Sequence, residues 1–478
     1  VLRRQRLWRQ LNELLACLAS IIAHLLLLLL LALLGWGNGE PYDDTINLSL
    51  DLSADQRERA LITDNEVAPV GFERPQVEPQ QVAEFAEAQQ WAEQLQIAAD
   101  APSANLPPLS RVSENLNSDD QYRRMLSARD PRIRREIVEQ EGGTTLTEAA
   151  VARALRWMAN HQAKDGSWSL NEFHRHGTCN GECSGRGNLE SDPGATALVL
   201  QAMLGAGQTH KSGIYRGEVS HGLQYLLSVQ AADGDLRGRS QGNSGMYVHA
   251  LATIALCDAY ALTGDELLRD PAQRAVEFVE YAQHNQGGWR YSPQSQGDLS
   301  VTGWQLMALH SGRAAGLNVS GRTLVAASRY LDTVQTDRIG SRYAYQARGG
   351  PTPAMTAEGL LSRMYLGTRR DDLGLSRGVE WLVDNHLPDN RNTNIYYWYY
   401  ATQVMHHWGG RPWEQWNAAI RDALVSSQIQ TGHEEGSWDP NTPHGGPGGR
   451  LYMTVLACCT LEVYYRHAPL FRKIELGP

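Results

Sequence analysis

The chain has 478 residues, 42% hydrophobic and 20% charged, enough for two or three domains, which excludes a small disulfide-stapled module and a wholly disordered polymer. Its 43 Lys+Arg against 53 Asp+Glu give a formal charge of -10, so there is no basic footprint for phosphate backbones and no nucleic-acid partner is expected. Aromatic usage is skewed, with 13 Trp and 19 Tyr against 5 Phe, a bias toward rings with a polar handle that suit cavity walls and interfaces.

The first predicted element is residues 14–34, an almost unbroken run of Leu, Ile and Ala of the length a bilayer core requires of a helix. Arg3, Arg4, Arg6 and Arg9 precede it and Glu40, Asp43 and Asp44 follow. The positive-inside rule then keeps the N-terminus cytoplasmic and places the bulk of the chain in the periplasm or another extracytoplasmic space, on a single-pass anchor in the lipid bilayer. A cleaved signal peptide is the competing expectation; its apolar region is usually shorter and no clean A-x-A site follows. Residues 1–40 are therefore read as a basic tip and anchor.

Residues 41–143 read as an acidic, mostly extended stalk. Between 41 and 140 there are 19 acidic and 10 basic residues, rich in Pro and Gln, with too little apolar surface for an independent core. Helices are expected at 80–98 and 132–141, the second packing on the main domain.

From 144 to 478 the sequence repeats itself. Gln162-Ala-Lys-Asp165-Gly166-Ser167-Trp168 is echoed by Gln283 through Gly287-Gly288-Trp289, by Gln230 through Gly234-Asp235-Leu236, and by Gln430 through Gly436-Ser437-Trp438. Each turn gives way to an apolar, small-residue run of helical periodicity. The six runs start at Thr196, His249, Thr302, Thr356, Thr402 and Thr454, which are 53, 53, 54, 46 and 52 residues apart. A unit of that length holds two helices, and amphipathic segments such as 271–282 and 375–383 supply the second of each pair. Gly makes the turn, while Gln and Trp pin neighbouring pairs together. Six pairs with no polar terminal cap favour closure over an open solenoid.

The Gln-x-x-Asp-Gly-Ser-Trp element resembles the repeat shared by squalene and hopene cyclases and the β subunits of protein prenyltransferases, over about 145–467. Gly287-Gly288-Trp289-Arg290-Tyr291 and the ending Leu461 to Arg466 are similar in particular to the membrane-anchored prenyltransferase and squalene oxidase repeat proteins of planctomycete bacteria. The resemblance implies an all-α fold, an (α/α)6 toroid whose inner helices line a central apolar cavity able to hold an isoprenoid-like or other apolar ligand, or a peptide.

The signature residues of those activities are another matter. A triterpene cyclase protonates an alkene with a strong acid, built in the family as Asp-x-Asp-Asp before Thr-Ala. Here the stretch reads Asp192-Pro193-Gly194-Ala195-Thr196-Ala197, with Gly at the donor position, and Asp298-Leu299-Ser300-Val301-Thr302 departs likewise. Asp192 and Asp298 stand as candidate substituted acids, with helix N-terminal capping as their structural explanation. The prenyltransferase zinc set lacks its Asp-x-Cys pair, and no thioester motif is found. His249, where sister repeats carry Thr, is with Tyr247 the candidate group titrating near neutral pH, against a satisfied structural His. The expected cavity lining is Thr196, Thr302, Trp304, Thr356, Tyr397, Tyr400, Thr402, His406 and Thr454, with other rings of the run 396–400 beside them.

One stretch interrupts the repeat. The step from turn residue to inner-helix start is 13 for Leu236 to His249 and for Trp289 to Thr302, but 28 for Trp168 to Thr196. The insert carries His174, His176, Cys179 and Cys183, a spacing that can wrap a tetrahedral Zn²⁺; a Cys179–Cys183 disulfide is the account preferred for an exported chain. The insert is expected to border the cavity mouth. Cys257, Cys458 and Cys459 lie in apolar runs and read as reduced core residues. Three functions remain open at this stage: a tethered ligand-holding toroid, a cyclase-like enzyme with a substituted acid, and a non-catalytic interaction protein of the cell envelope.

Overall fold

The computed structural model describes Arg129 and residues 131–472 apart from position 241; the expected membrane run at 14–34 and stalk helix at 80–98 lie outside the described residues. Among the described residues the chain is helical, with isolated bridges but no strand. After α1 (Pro131–Glu141) come twelve helices that alternate between two rings. The outer ring is α2 (Thr145–Ala159), α4 (Arg216–Val229), α6 (Glu266–Tyr281), α8 (Gly321–Val334), α10 (Leu373–Asn385) and α12 (Gly410–Ser427). The inner ring is α3 (Asp192–Gly205), α5 (Gly245–Thr263), α7 (Leu299–Ala314), α9 (Pro353–Tyr365), α11 (Ile395–Trp408) and α13 (Gly449–Leu461), and a short α14 (Val463–Arg466) follows.

The two rings differ in sequence for a physical reason. Outer helices bury one stripe: α8 buries Thr323, Ala327, Tyr330, Leu331 and Val334, and α6 buries Leu268, Ala272, Ala275, Val276 and Val279 at the same offsets. Inner helices are buried on every side; in α3 every residue from Pro193 to Gly205 is covered. Helix α5 is long and apolar enough to cross a bilayer, but most of it is buried among its neighbours, as in the core helix of a soluble domain. Each inner helix packs on the next, and α13 packs back on α3, so the ring closes.

The repeated turns fasten the rings. In the first, the Gln162 amide donates to its own turn carbonyl at Gly166 and to Glu218 O on α4. Gln230 does the same to Gly234 O and Pro271 O, and Gln283 to Gly287 O and Thr323 O. In the last turn the bridging residue is Gln428, not Gln430, and it donates to Gly436 O and to Ala150 O on α2, which joins the last unit to the first. The turn Trp is fully buried, and its indole N–H donates back to the preceding outer helix, as from Trp168 to Met158 O and from Trp289 to Val279 O. A fourth turn has Tyr343 in the Trp position, and its N–H reaches Thr356 Oγ1.

Helix α1, in the stretch assigned to the stalk, packs against the end of the hub where the inner helices finish. Arg134 donates to the Tyr465 hydroxyl and pairs with Glu148, and Arg129 pairs with Asp258 on α5. Glu141 ends α1 beside Arg472 and His406. Burial alone would raise this carboxyl, but the hydrogen bonds from Arg472 and the His406 ring 3.2 Å away outweigh it and hold the group down at about 2 against an ordinary 4.5. A depressed folded-state value means the stabilisation is complete above pH 4.5 and is lost as pH falls toward 2. Urea denaturation between those limits should therefore show a falling midpoint in the native protein and a flatter one in Glu141→Gln.

Candidate functional site

An outer helix returns the chain after every inner one, so the six inner helices start at one end of the hub. The first turn of α5 and the loops leading into α7 and α9 bring a group of tyrosines together there. The Tyr247 hydroxyl lies 2.5 Å from Ser300 Oγ, Ser300 Oγ donates to Asp298 Oδ1 at 3.0 Å, the Tyr345 hydroxyl donates to Asp298 Oδ2 at 3.0 Å, and the Tyr291 and Tyr345 hydroxyls are 2.5 Å apart. Asp298 is fully buried and also caps α7, accepting the Val301 N–H at 2.8 Å. Burial raises its carboxyl, with the Val301 N–H, Ser300, Tyr345 and Arg290 pulling the other way. It thus serves as both a cap and the anchor of a hydroxyl chain.

Deeper in the hub sits Glu358 of α9, two residues past Thr356. Its side chain fits because α7 has Gly303 opposite, where an added Cβ would lie 2.1 Å from Glu358 Oε1. The Tyr396 hydroxyl donates to Oε2 at 2.9 Å. Burial pushes the carboxyl well above its ordinary value, the Asp298 charge adds to this, and the Tyr396 and Tyr400 hydroxyls only partly oppose it. Burial thus favours the protonated, uncharged form of this carboxyl. Oε1 and the Tyr400 hydroxyl are both buried without a well-formed hydrogen bond, although Tyr400 is near enough to act on the carboxyl. Trp304 stacks on Tyr399 with centroids 5.5 Å apart and meets Tyr400 edge-on at 5.7 Å. These rings belong to α7 and α11, which flank α9, so aromatic side chains of two inner helices meet beside Glu358.

Of the expected lining, Trp304 and Tyr400 reach the hub, and the candidate acid–base residue Tyr247 reaches its rim. The Thr residues face away: Thr196 accepts the Trp168 N–H, Thr302 the Trp289 N–H and Thr454 the Trp438 N–H, like Thr356 with Tyr343, while Thr402 accepts the Trp416 indole N–H. Their hydroxyls are committed to the turns that hold the rings together. Tyr397 donates to His386 O and packs edge-on against Trp416, on the outer side. His406 is buried against Trp413 and Glu141 at the opposite end.

His249 takes the place of Thr in the second clamp. Its Nδ1 accepts the Leu236 N–H at 3.1 Å and its Nε2 faces Ala275 O at 3.0 Å. Burial pushes it down to about 4, so the ring stays neutral, with both nitrogens engaged. Asp192 is exposed at the first turn of α3. Glu358 was missed because a lone acid in an apolar run gives no motif.

The insert lies along the seam where the ring closes. The Asn188 N–H donates to Pro447 O, the Arg450 N–H to Gly185 O, and Ser184 to the Glu434 carboxylate, all in the last unit. Cys179 and Cys183 are free, buried thiols, so the expected disulfide is not formed. The Cys183 N–H is directed at Cys179 Sγ while Cys183 Sγ turns toward His433 O. Among the described residues the donors that converge on the two sulfurs belong to His161, not to His174 or His176. His174 instead packs edge-on against Phe173.

The squalene-hopene cyclase C-terminal domain family matches residues 138–250, which take in the first turn, the insert and the start of α5. The squalene–hopene cyclase of Bradyrhizobium diazoefficiens is 26% identical over 230 residues, 45% of this chain and 33% of that protein. A probable squalene–hopene cyclase of Sinorhizobium fredii is 27% identical over 231 residues, 45% of this chain and 34% of that protein. The match thus spans about a third of the length of these relatives. Among solved structures, the type II terpene cyclase MstE from Scytonema has a TM-score of 0.48 at 12% identity, covering 69% of this chain and 100% of that one. An α-1,6-mannanase from Salegentibacter has a TM-score of 0.47 at 10% identity, covering 67% and 98%. With its closed double ring of six helix pairs and this sequence match, the chain is a squalene-cyclase-like α/α toroid.

Proposed function

We propose that this protein holds an apolar, isoprenoid-like ligand by a hydroxyl or carbonyl head at the tyrosine-ringed end of the hub, without cyclising it. The observation that carries this is the pair of buried, unfilled hydrogen-bonding atoms, Glu358 Oε1 and Tyr400 Oη, set among Trp304, Tyr396 and Tyr399. A buried polar atom left without a partner costs about 1–3 kcal/mol, so a ligand oxygen that satisfies both is favoured there, while the ring faces suit its apolar tail. Alkene protonation asks for the opposite of what Glu358 offers: burial raises its proton affinity and makes it a weaker acid. Asp298 is tied to a helix cap and His249 to a turn, which supports a non-cyclising role.

The tether completes the proposal. Residues 14–34 anchor the chain from a cytoplasmic N-terminus and the toroid is exported, in keeping with the arginines before the run and the acids after it. A second reading, a non-catalytic interaction protein of the cell envelope, is favoured by the Trp304–Tyr399 stack, which takes up hub space with side chains.

The test is native mass spectrometry of the detergent-purified full chain, with extraction of bound lipid. One apolar ligand per chain is expected, with roughly tenfold weaker retention in the Glu358→Gln, Tyr400→Phe double variant, the size of one good hydrogen bond. Ligand-free protein would favour the second reading. Squalene turnover by the native protein would overturn the non-cyclising role.

A further inference from the structure

We propose that His161, Cys179 and Cys183 form a Zn²⁺ site that pins the insert to the end of α2 beside the seam of the toroid. His161 Nε2 lies 3.3 Å from Cys183 Sγ, and all three ligand atoms fall within 4.8 Å of one another. A tetrahedral zinc with bonds of about 2.0–2.3 Å needs donors roughly 3.3–3.8 Å apart, so the side chains require only small adjustments to take one.

The surroundings are those of a ligand set. His161 Nδ1 faces Trp157 O at 2.6 Å, one helical turn back. A hydrogen bond there puts the proton on Nδ1 and leaves the Nε2 lone pair aimed at the sulfurs, the outer contact that orients metal-bound imidazoles. The Cys183 backbone N–H points at Cys179 Sγ at 3.3 Å, a donor that a metal-bound thiolate accepts. The loop curls beneath α2 because Gly177 adopts a left-handed φ of 57° with its Cα against the backbone of Asn160; an added Cβ would lie 2.0 Å from Asn160 O. All three residues are buried, and two histidines of the insert point elsewhere.

Three protein ligands leave a fourth position for solvent or an incoming donor, as in open zinc sites. Beside the cluster is a recess of about 310 Å³, lined by His161 and Cys179 together with Asn160, Thr178 and His433. That recess faces the last turn of the final unit. A zinc ion here fastens the insert to the end of α2, both in the first unit, next to the point where Ser184 donates to Glu434 and Gly185 O accepts the Arg450 N–H of the last unit. The metal thereby holds the insert in the conformation that meets the last unit, independently of what the hub holds.

The experiment uses the full chain, expressed with added zinc and purified without chelator or reductant. Elemental analysis should find about one zinc per chain, the stoichiometry of a single site. The loss should be near complete in Cys183→Ser and His161→Ala, with zinc retained in the His174→Ala, His176→Ala double variant. If either ligand variant fails to fold, the native protein still decides the matter. Cobalt exchanged into it should give a tetrahedral visible spectrum with a thiolate charge-transfer band, and chelation should lower Tm. Zinc-free protein that shows no such band, a Cys179–Cys183 disulfide found by mapping the oxidised peptide, or zinc that persists in Cys183→Ser would each overturn the proposal.

Discussion

Arg466→Met is expected to cost about 3–5 kcal/mol of folding stability, the range for breaking a buried ion pair by removing one partner. Arg466 is 2% exposed; its Nη1 donates to Glu462 Oε2 at 2.9 Å and to Gln201 O at 2.6 Å, and its own carbonyl accepts from Arg129. The pair ties α14 to α3 on the far side of the hub, and Gly205 leaves the room: an added Cβ there would lie 2.0 Å from Arg466 Nη1. Methionine fills most of the volume but leaves Gln201 O and Glu462 without their donor. Glu462, fully buried, is pushed up to about 7 from an ordinary 4.5 by burial, with Arg466 and Arg134 opposing. A raised folded-state value means that its contribution is complete below pH 4.5 and declines as pH rises through 7. Removing Arg466 raises that carboxyl further, so the deficit of the variant should widen as pH rises past about 7, where the native carboxyl loses its proton and the variant's keeps it. Arg466→Met with Glu462→Leu should recover most of the loss, because two apolar side chains leave no orphaned charge. Chemical denaturation of the single and double variants at two pH values checks both points.

Trp289→Ala should cost a similar amount, about 3–5 kcal/mol, as for truncating a fully buried aromatic ring. The ring fills the space between α6 and α7, and its loss also leaves Val279 O without the indole donor at 2.8 Å. Gly287→Ala attacks the same turn from the backbone. Gly287 has a φ of 94°, and an added Cβ would lie 2.0 Å from Ala326 O, which cannot move without shifting α8. Strain at a left-handed position and a backbone clash together cost about 2–4 kcal/mol. By contrast, Gly316→Ala meets no atom within 4 Å and should show only the smaller cost of its left-handed φ of 73°. Thermal melts of the three variants should rank Trp289→Ala and Gly287→Ala well below Gly316→Ala.

The turns were legible because the constraint is local. A left-handed glycine, a side-chain amide two bonds' reach from the next outer helix and a Trp that must be buried leave the same letters at each repeat. Where two extra residues widen the last turn, the letters mislead, and Gln428 rather than Gln430 makes the bridge. The second clamp shows the same limit. His249 stands in a Thr position as a departure that invites a chemical role, yet its neighbours Leu236 and Ala275 give both ring nitrogens a structural task.

The metal candidate was half legible. Cys179 and Cys183 lie four residues apart in an insert, and nearby His174 and His176 complete a familiar spacing. The histidine brought to the sulfurs is His161, which lies before the turn and reaches them only because the chain folds back under the end of α2.

What the sequence alone determined, then, is the number of helix pairs, their order and the turns that join them, since each depends on contacts within a repeat or with the next one. What only the tertiary structure decided is which side of each inner helix faces the hub. A helix buried on all sides carries no apolar stripe to mark its inward face, so Thr356 turning outward and Glu358 turning inward, two residues apart on α9, are settled by packing against neighbours far along the chain.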